Sequence, residues 1–381
     1  MRRKIWFAPA VLVMVCVASR AGAQGALSLQ GLGFPPGQLS ARAEGTGGGV
    51  ADFDALSLVS PSSIAGVGSS TLFLQYSPEF RRVTTTSGSA KTTTARFPMV
   101  AGVLPMGQAW TLGFSSSTFL DRSSETSSTR REVVGAPTDT VDVTERLKVL
   151  GAINDVRLAL AWTTSPVFRI GVGAHVFTGS NRITFSQLFP DSARYINIGQ
   201  SGRISYAGFA GSLGMEYHPS RAIGFAVSGR KGGDLRAEEG DTAIGKGRIP
   251  DHYSASVSFE GITGVTMSAR VAHDAWSSLT SLSSTGIKAF DGWDSGVGIE
   301  ATGPRLMQRL ITVRAGARFR TLPFGVNGEK VSEKSFAAGF GAPLTRERAS
   351  FDFSIQRASR TAGSDIKERG LILSFGLRVS P

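Results

Sequence analysis

From residue 70 to the end the chain repeats one unit: a segment of about ten residues in which every second side chain is apolar, then a turn. Successive side chains of a strand point to opposite faces, so each run builds one apolar face and one face of another kind. Val156, Leu158, Leu160 and Trp162 alternate with Arg157, Ala159 and Ala161, and Tyr253, Ala255, Val257 and Phe259 alternate with three serines. Ile311, Val313, Ala315, Ala317 and Phe319 alternate with Thr312, Arg314, Gly316 and Arg318, and the last run is Leu371 to Val379. No segment beyond the first two dozen residues holds 18 consecutive apolar residues, which excludes a helical membrane protein. A transmembrane barrel survives that test, because only alternate residues of its strands meet lipid.

Fourteen such runs are expected, near 70–83, 92–103, 109–120, 146–163, 167–178, 202–217, 221–231, 250–260, 263–274, 292–302, 309–320, 332–342, 348–357 and 368–379. An even number lets a single chain close. The connections alternate in length. Short turns fall at 104–108, 164–166, 218–220, 261–262, 303–308 and 343–347, and polar loops lie between them at 121–145, 179–201, 231–249, 275–291, 321–331 and 358–367. Short turns on one rim and long loops on the other is the outer-membrane arrangement. A soluble sandwich also alternates, but its wet face would carry many Lys and Glu. Here those positions are mostly Gly, Ser, Ala and Thr with scattered arginines, which suits a crowded lumen. The expected fold class is all-β: a transmembrane antiparallel β-barrel of about 14 strands spanning residues 70–381.

Residues 1–23 read as a signal peptide. Arg2, Arg3 and Lys4 precede an apolar stretch from Phe7 to Ala18, and Ala21-Gly22-Ala23 is a small-residue cleavage site. The only cysteine, Cys16, lies in that segment, so the mature chain has no disulfide and no Cys-based metal site. The formal charge is +12, and removing Arg2, Arg3, Lys4 and Arg20 leaves +8. The basic residues are dispersed along strands without a recognition motif, so nucleic acid is not an expected partner.

Residues 24–69 do not alternate. They are rich in Gly and Ala yet contain Phe34, Phe53, Leu56, Leu58, Val59 and Ile64, too apolar for a solvated linker. A compact plug inside the barrel base is the expected structure. The run Ser40-Ala41-Arg42-Ala43-Glu44-Gly45-Thr46-Gly47-Gly48-Gly49-Val50-Ala51-Asp52, then Asp54-Ala55-Leu56-Ser57 and Ser60-Pro61-Ser62-Ser63-Ile64-Ala65, resembles the hatch signature of the FadL-type long-chain fatty-acid transporters. That signature runs from a Gly/Ala-rich stretch through Ala-x-Asp-x-Ser to Asn-Pro-Ala-x-x-Ala. Ser60 stands where the family has Asn, and Ser62 where it has Ala. The resemblance covers about 30 residues by motif and the mature chain in architecture. It implies a small N-terminal hatch in the lumen, with Phe53, Asp54, Ser60 and Pro61 as hatch or gate residues. It also implies passive uptake of a fatty-acid-like ligand, with the outer-membrane bilayer and the barrel-assembly machinery as partners. Relatives of this type also act as accessories in protein secretion or surface attachment. A general porin is the remaining alternative, against which the apolar plug argues.

Nothing catalytic stands out. His175, His218, His252 and His273 form no metal-spaced motif, no Gly-x-Ser-x-Gly elbow occurs, and no glycine run sits between a strand and a helix. His273-Asp274, a possible acid–base pair, lies near a strand end and suits a structural role. No enzyme activity, metal or cofactor is expected. By alternation Arg157, Arg169, Arg270, Arg314, Arg318 and Arg378 share the non-lipid face with Asp294, Glu300 and Asp352. An arginine facing lipid at the midplane would cost about 2–4 kcal/mol. These charges either brace the wall as ion pairs or, at Arg157, Arg270, Arg314 and Arg318, receive an anionic head group. Two loops carry unexplained apolar residues: Phe185, Leu188 and Phe189, and Trp276, Leu279 and Leu282 at a spacing of three. They form either a hydrophobic landing groove or a lid over the barrel.

Overall fold

The computed structural model describes residues 33–85, 88–133, 140–190, 194–282, 288–306, 309–326, 328–345, 348–363 and 366–380. The expected signal peptide and the start of the expected hatch, 24–32, lie outside the described residues. Among the described residues, sixteen strands belong to a single antiparallel sheet. The first six are β1 (Thr71–Thr85), β2 (Gly88–Met106), β3 (Trp110–Asp121), β4 (Ser124–Val133), β5 (Thr140–Ser165) and β6 (Phe168–Leu188). Then come β7 (Ile198–Tyr217), β8 (Ile223–Glu239), β9 (Thr242–Arg248), β10 (His252–Ile262) and β11 (Val265–Asp274). The last five are β12 (Gly292–Leu306), β13 (Arg309–Val326), β14 (Glu329–Thr345), β15 (Ala349–Ala362) and β16 (Ile366–Val379). Two of them, β4 and β9, pair only with β5 and β8 and stand outside the ring. The other fourteen follow one another around it, and β16 pairs back on β1 from Leu72↔Val379 to Thr84↔Lys367. Closure leaves no edge with unpaired backbone groups, which hydrocarbon would not satisfy.

Each of the fourteen expected runs lies in one wall strand, and the short turns fall between the expected pairs. The long connections differ from expectation. Much of 121–145, 179–201 and 231–249 is strand, because β4 folds on β5, β6 and β7 stay paired up to Gln187↔Ile198, and β9 folds on β8. Ser- and Thr-rich polar sequence is compatible with a paired hairpin in water, where backbone groups satisfy one another and no apolar face is required. Polarity marks where the wall leaves the bilayer, not where the strand ends.

The two faces of the wall separate by chemistry. Phe114, Leu158, Phe209, Val227, Val257, Val297 and Phe336 are exposed, while their neighbours Ser115, Arg157, Ser228, Ser256, Ser335 and others are buried. Aromatic rings gather at the short-turn rim, where Trp110 stacks on Trp162 at 5.5 Å and Phe168 meets Tyr217 edge-on. Tyr253 and Trp293 are exposed near the opposite ends of β10 and β12. Two aromatic girdles around an apolar band match a bilayer's interfaces. Replacing the outward Leu158 by arginine is expected to cost about 2–4 kcal/mol of folding free energy in a bilayer. The loss would be read as a lower urea midpoint for refolding into vesicles.

The N-terminal segment, described from Gly33, lies inside the ring. Its α-helix among the described residues, α1 (Ala41–Gly45), packs against β13 to β16, and the 3-10 turn Ser63–Gly66 packs against β3, β5 and β6. Leu56 and Leu58 bury themselves on Phe73, Met99 and Ala101 of β1 and β2, and Ile64 on Val103, Ala159 and Ala161. Contacts on every side of the ring hold the segment in the middle of it.

Candidate functional site: the lumen and its N-terminal segment

The segment is built around one carboxylate. Ser40 caps α1 by accepting from the Ala43 amide at 3.1 Å, and its hydroxyl donates to Asp54. Ser57 donates to the same carboxylate at 2.8 Å and accepts from the Ser40 amide at 3.0 Å. An N-cap is worth about 0.5–2 kcal/mol, and here Asp54 ties it to the following turn. Of the expected hatch residues, Asp54 therefore organises the segment itself. Phe53 is half-buried and meets the His218 ring edge-on at 6.1 Å. Ser60 and Ser62, the two departures from the family motif, bond to each other at 2.8 Å.

Docking to the wall depends on glycine. A Cβ at Gly171 would lie 2.4 Å from the Pro61 carbonyl carbon, and one at Gly214 the same distance from the Ser60 hydroxyl. Across the ring, a Cβ at Gly298 or Gly316 would collide with the Thr46 backbone at 2.2 and 2.1 Å. Bare backbone at these strand positions lets the segment's main chain touch the wall.

The polar lock on the wall is Asp52, absent from the expected site residues. It is fully buried and accepts from Ser228 at 3.1 Å, Ser254 at 2.8 Å, Ser256 at 2.5 Å and Arg270 at 3.0 Å. Burial pushes its carboxyl up, but Arg270 and the Ser256 and Ser254 hydroxyls outweigh this and hold it below its ordinary value. Arg42 adds a two-pronged pair with Glu300, 2.9 Å on each arm. The alternating serines of β10 were visible in the sequence, but their partner lies about 200 residues away.

Higher in the lumen, the backbone of Phe34 pairs with Asp121 at the loop end of β3. Its ring is surrounded by the guanidiniums of Arg360, Arg81, Arg96 and Arg320, at 4.5, 4.6, 5.3 and 5.3 Å. Phe324, Leu322 and Val331 complete the pocket. The arginines are held in turn by Glu79, Glu333, Glu368 and Asp121.

Between Phe34's arm and the far wall lies a cavity of about 90 Å³. Its lining combines Leu39, Leu58, Val59, Phe119 and Trp276 with His175, Ser212, Arg230, Arg270 and Arg318. The cluster beside it is Phe119, Ile153, Phe177, Leu235, Ile249, Trp276 and Leu279, with Leu282 packed against it. Trp276 and Leu279 are thus turned inward and buried. The reason is local: the loop forms a 3-10 turn, Trp276–Leu282, whose three-residue period brings both side chains to one side. Phe185, Leu188 and Phe189 stay outside this cluster. Phe185 is half-buried in β6, Leu188 is exposed, and Phe189 stacks on Tyr195 at 5.5 Å.

All four expected head-group arginines point inward and are buried. Three of them are neutralised. Arg318 forms a fork on Asp294, Arg314 joins Glu300 and Asp352 at 2.6 Å each, and Arg270 joins Asp52 and Asp294. The expectation that Asp294, Glu300 and Asp352 pair with wall arginines is met at these residues. Arg157 differs: its Nε and Nη1 are buried without a hydrogen-bond partner. Beside it, Arg230 lies 3.8 Å from Asp155 and over the rings of Phe119 and Phe177. Asp155 bonds His175 at 2.9 Å and accepts from Gln38 at 2.8 Å. The neighbouring His273-Asp274 pair does not form. The two residues face opposite sides of β11, so Asp274 bonds His252 at 2.8 Å while His273 packs on Trp293. Among the described residues, no group of three or more His, Cys, Asp or Glu side chains is placed to hold a metal ion.

One group gives the segment a pH response. Burial raises the Glu44 carboxyl from 4.5 to about 7, against the opposing pull of Ser374, Arg318 and Arg320. A raised carboxyl disfavours the docked state once it ionises. The Glu44 contribution to docking is therefore fully present below pH 4.5, is lost as pH rises towards about 7, and then levels off. Glu44→Gln is expected to abolish that slope in protease protection of residues 41–57.

No protein-family model matches the sequence, and no curated protein matches it. Solved structures do. A Pseudomonas aeruginosa FadL homologue superposes with a TM-score of 0.63 at 10% identity, over 92% of this chain and 100% of that one. The Pseudomonas putida toluene transporter TodX gives 0.56 at 12%, over 91% and 98%. The Ralstonia pickettii toluene transporter TbuX gives 0.51 at 13%, over 92% and 99%. At these identities the likeness establishes a shared fold.

Proposed function

We propose, for a chain with the FadL-like barrel fold, that the protein lies in the outer membrane of a Gram-negative cell and admits small hydrophobic or amphipathic molecules passively, with residues 24–69 as its hatch. The observation that carries this reading is the two-natured cavity: rings and aliphatic side chains on one part of its lining, cations on another. A solute-filled porin has no use for a Trp276–Leu279 lid or for a segment docked on wall glycines. Its 90 Å³ is smaller than the roughly 150 Å³ apolar cavity that accepts benzene. In this reading the lid or the hatch shifts to make room for a larger ligand.

In this reading the ligand arrives at the outer loops, where Phe185, Leu188 and Phe189 offer apolar surface. It passes the lid and rests with any polar head group near Arg157 and Arg230, the cations with the least compensation. Release follows displacement of the hatch, whose contacts at Asp52, Ser60 and Pro61 are broken together. The barrel-assembly machinery is the partner expected during biogenesis. Uptake of radiolabelled oleate and toluene by Gram-negative cells lacking their own FadL-type barrel tests the proposal. Saturable entry of at least one probe that depends on this chain is expected, and entry equal with and without it refutes the reading.

A further inference from the structure

Three side chains on adjacent wall strands form an array that passive transport does not use. Asp155 of β5 holds the His175 Nδ1 at 2.9 Å, and the His175 Nε2 lies 2.9 Å from the Ser212 hydroxyl of β7. Both distances suit a nucleophile, a base and an orienting carboxylate. His175 and Ser212 line the cavity, and Ser212 is the partly exposed member. Asp155 is locked by Gln38 at 2.8 Å, so its carboxylate fixes the tautomer in which Nδ1 donates and Nε2 is free to accept the serine proton.

Two further observations point to a reacting group at this place. The first is Gly173, which sits opposite Ser212 in the β6–β7 register. A Cβ there would lie 2.4 Å from the Ser212 hydroxyl, 3.5 Å from His175 Nε2 and 3.6 Å from the Cδ of Arg157, so the missing side chain is what lets the Ser212 hydroxyl sit where it does between His175 and Arg157. The second is Arg157 itself, 3% exposed, with Nε and Nη1 unpartnered. Its Cδ comes within 3.6 Å of the Cβ position of Gly173, which puts a buried cation with unused N–H groups in the same layer of the lumen, the kind of group that stabilises an oxyanion.

We propose that Ser212, His175 and Asp155 constitute an acyl-transfer site in the barrel lumen that hydrolyses small carboxylic esters entering the cavity. The Ser212 oxygen bonds to the ester carbonyl carbon while its proton passes to His175 Nε2. The resulting oxyanion is stabilised by Arg157. Collapse breaks the carbonyl carbon–alkoxy oxygen bond, and the proton on His175 leaves with the alcohol. Water from the lumen then attacks the acyl-serine, again giving its proton to His175, and releases the acid with Ser212 restored. Asp155 acts as a positioning residue, through His175. The step stands apart from the transport reading, because it needs a reagent in the cavity and not its passage.

The test uses the full mature protein in detergent, with a fluorophosphonate and with p-nitrophenyl acetate. Expected are phosphonylation at Ser212, identified by peptide mass spectrometry, and ester turnover reduced at least 100-fold in Ser212→Ala and His175→Gln. Asp155→Asn should lower turnover and change the shape of its pH profile, which a purely structural carboxylate would not do. Arg157→Gln should lower turnover roughly 100-fold while leaving the barrel's heat-modifiable gel migration intact. An unmodified Ser212 in the native protein overturns the proposal, whatever the variants do. So does a folded Ser212→Ala that turns over the ester at the native rate.

Discussion

Replacing Arg360 by alanine is expected to lower the stability of the barrel by about 3–5 kcal/mol. The residue is fully buried on β15 and pairs with Glu79 at 2.8 Å, Glu333 at 2.5 Å and Glu368. Those three carboxylates come from β1, β14 and β16, so one guanidinium ties together strands on both sides of the closure. Without it they remain buried close to one another, with their charges under-compensated, and that residual charge accounts for most of the cost. The Phe34 ring also loses the guanidinium 4.5 Å above it. Urea unfolding in lipid vesicles would show a lower midpoint with an unchanged slope. A double replacement, Arg360→Leu with Glu368→Leu, should recover part of the loss, because removing a charge together with its partner spares the unpaired remainder. An Arg360→Ala midpoint equal to that of the native chain would mean that the network contributes little.

Asp52→Ala should release the N-terminal segment while leaving the wall intact. The replacement strands Arg270, whose other carboxylate, Asp294, is 3.4 Å away, and leaves three serine hydroxyls without their acceptor. Breaking a buried pair from one side costs about 3–5 kcal/mol, which corresponds to roughly 140- to 4,000-fold more frequent opening. The mature chain is expected to have no cysteine, so a Val50→Cys reporter, buried in the segment at 4% exposure, reads opening directly as the rate of thiol labelling. The sign of the pH effect follows from Asp52 lying below its ordinary 3.8. Its contribution is present above that value and is lost as pH falls through the depressed one. Acid should therefore open the segment of the native chain but have little further effect on Asp52→Ala. Glu44 works in the other direction and in a different window, between 4.5 and about 7, so the two contributions can be separated by pH.

The wall is legible in the sequence because lipid imposes a rule on every second residue. Runs such as Val156–Trp162 and Tyr253–Phe259 show their alternation locally, and closure follows from an even number of them. The inward arginines were legible for the same reason, since parity alone separates Arg157, Arg270, Arg314 and Arg318 from hydrocarbon. What parity could not supply is the identity of a partner across the ring. Asp52 finds Ser254 and Ser256, and His175 finds Ser212 and Asp155, through the register of strands and the path of the N-terminal segment, neither of which leaves a periodic trace. The same holds for Asp274, whose neighbour in sequence, His273, faces away while His252 on the next strand receives it. Local alternation is written into each strand by its solvent. Pairing inside the lumen exists only once fourteen strands have closed and brought distant residues within a few ångströms of one another.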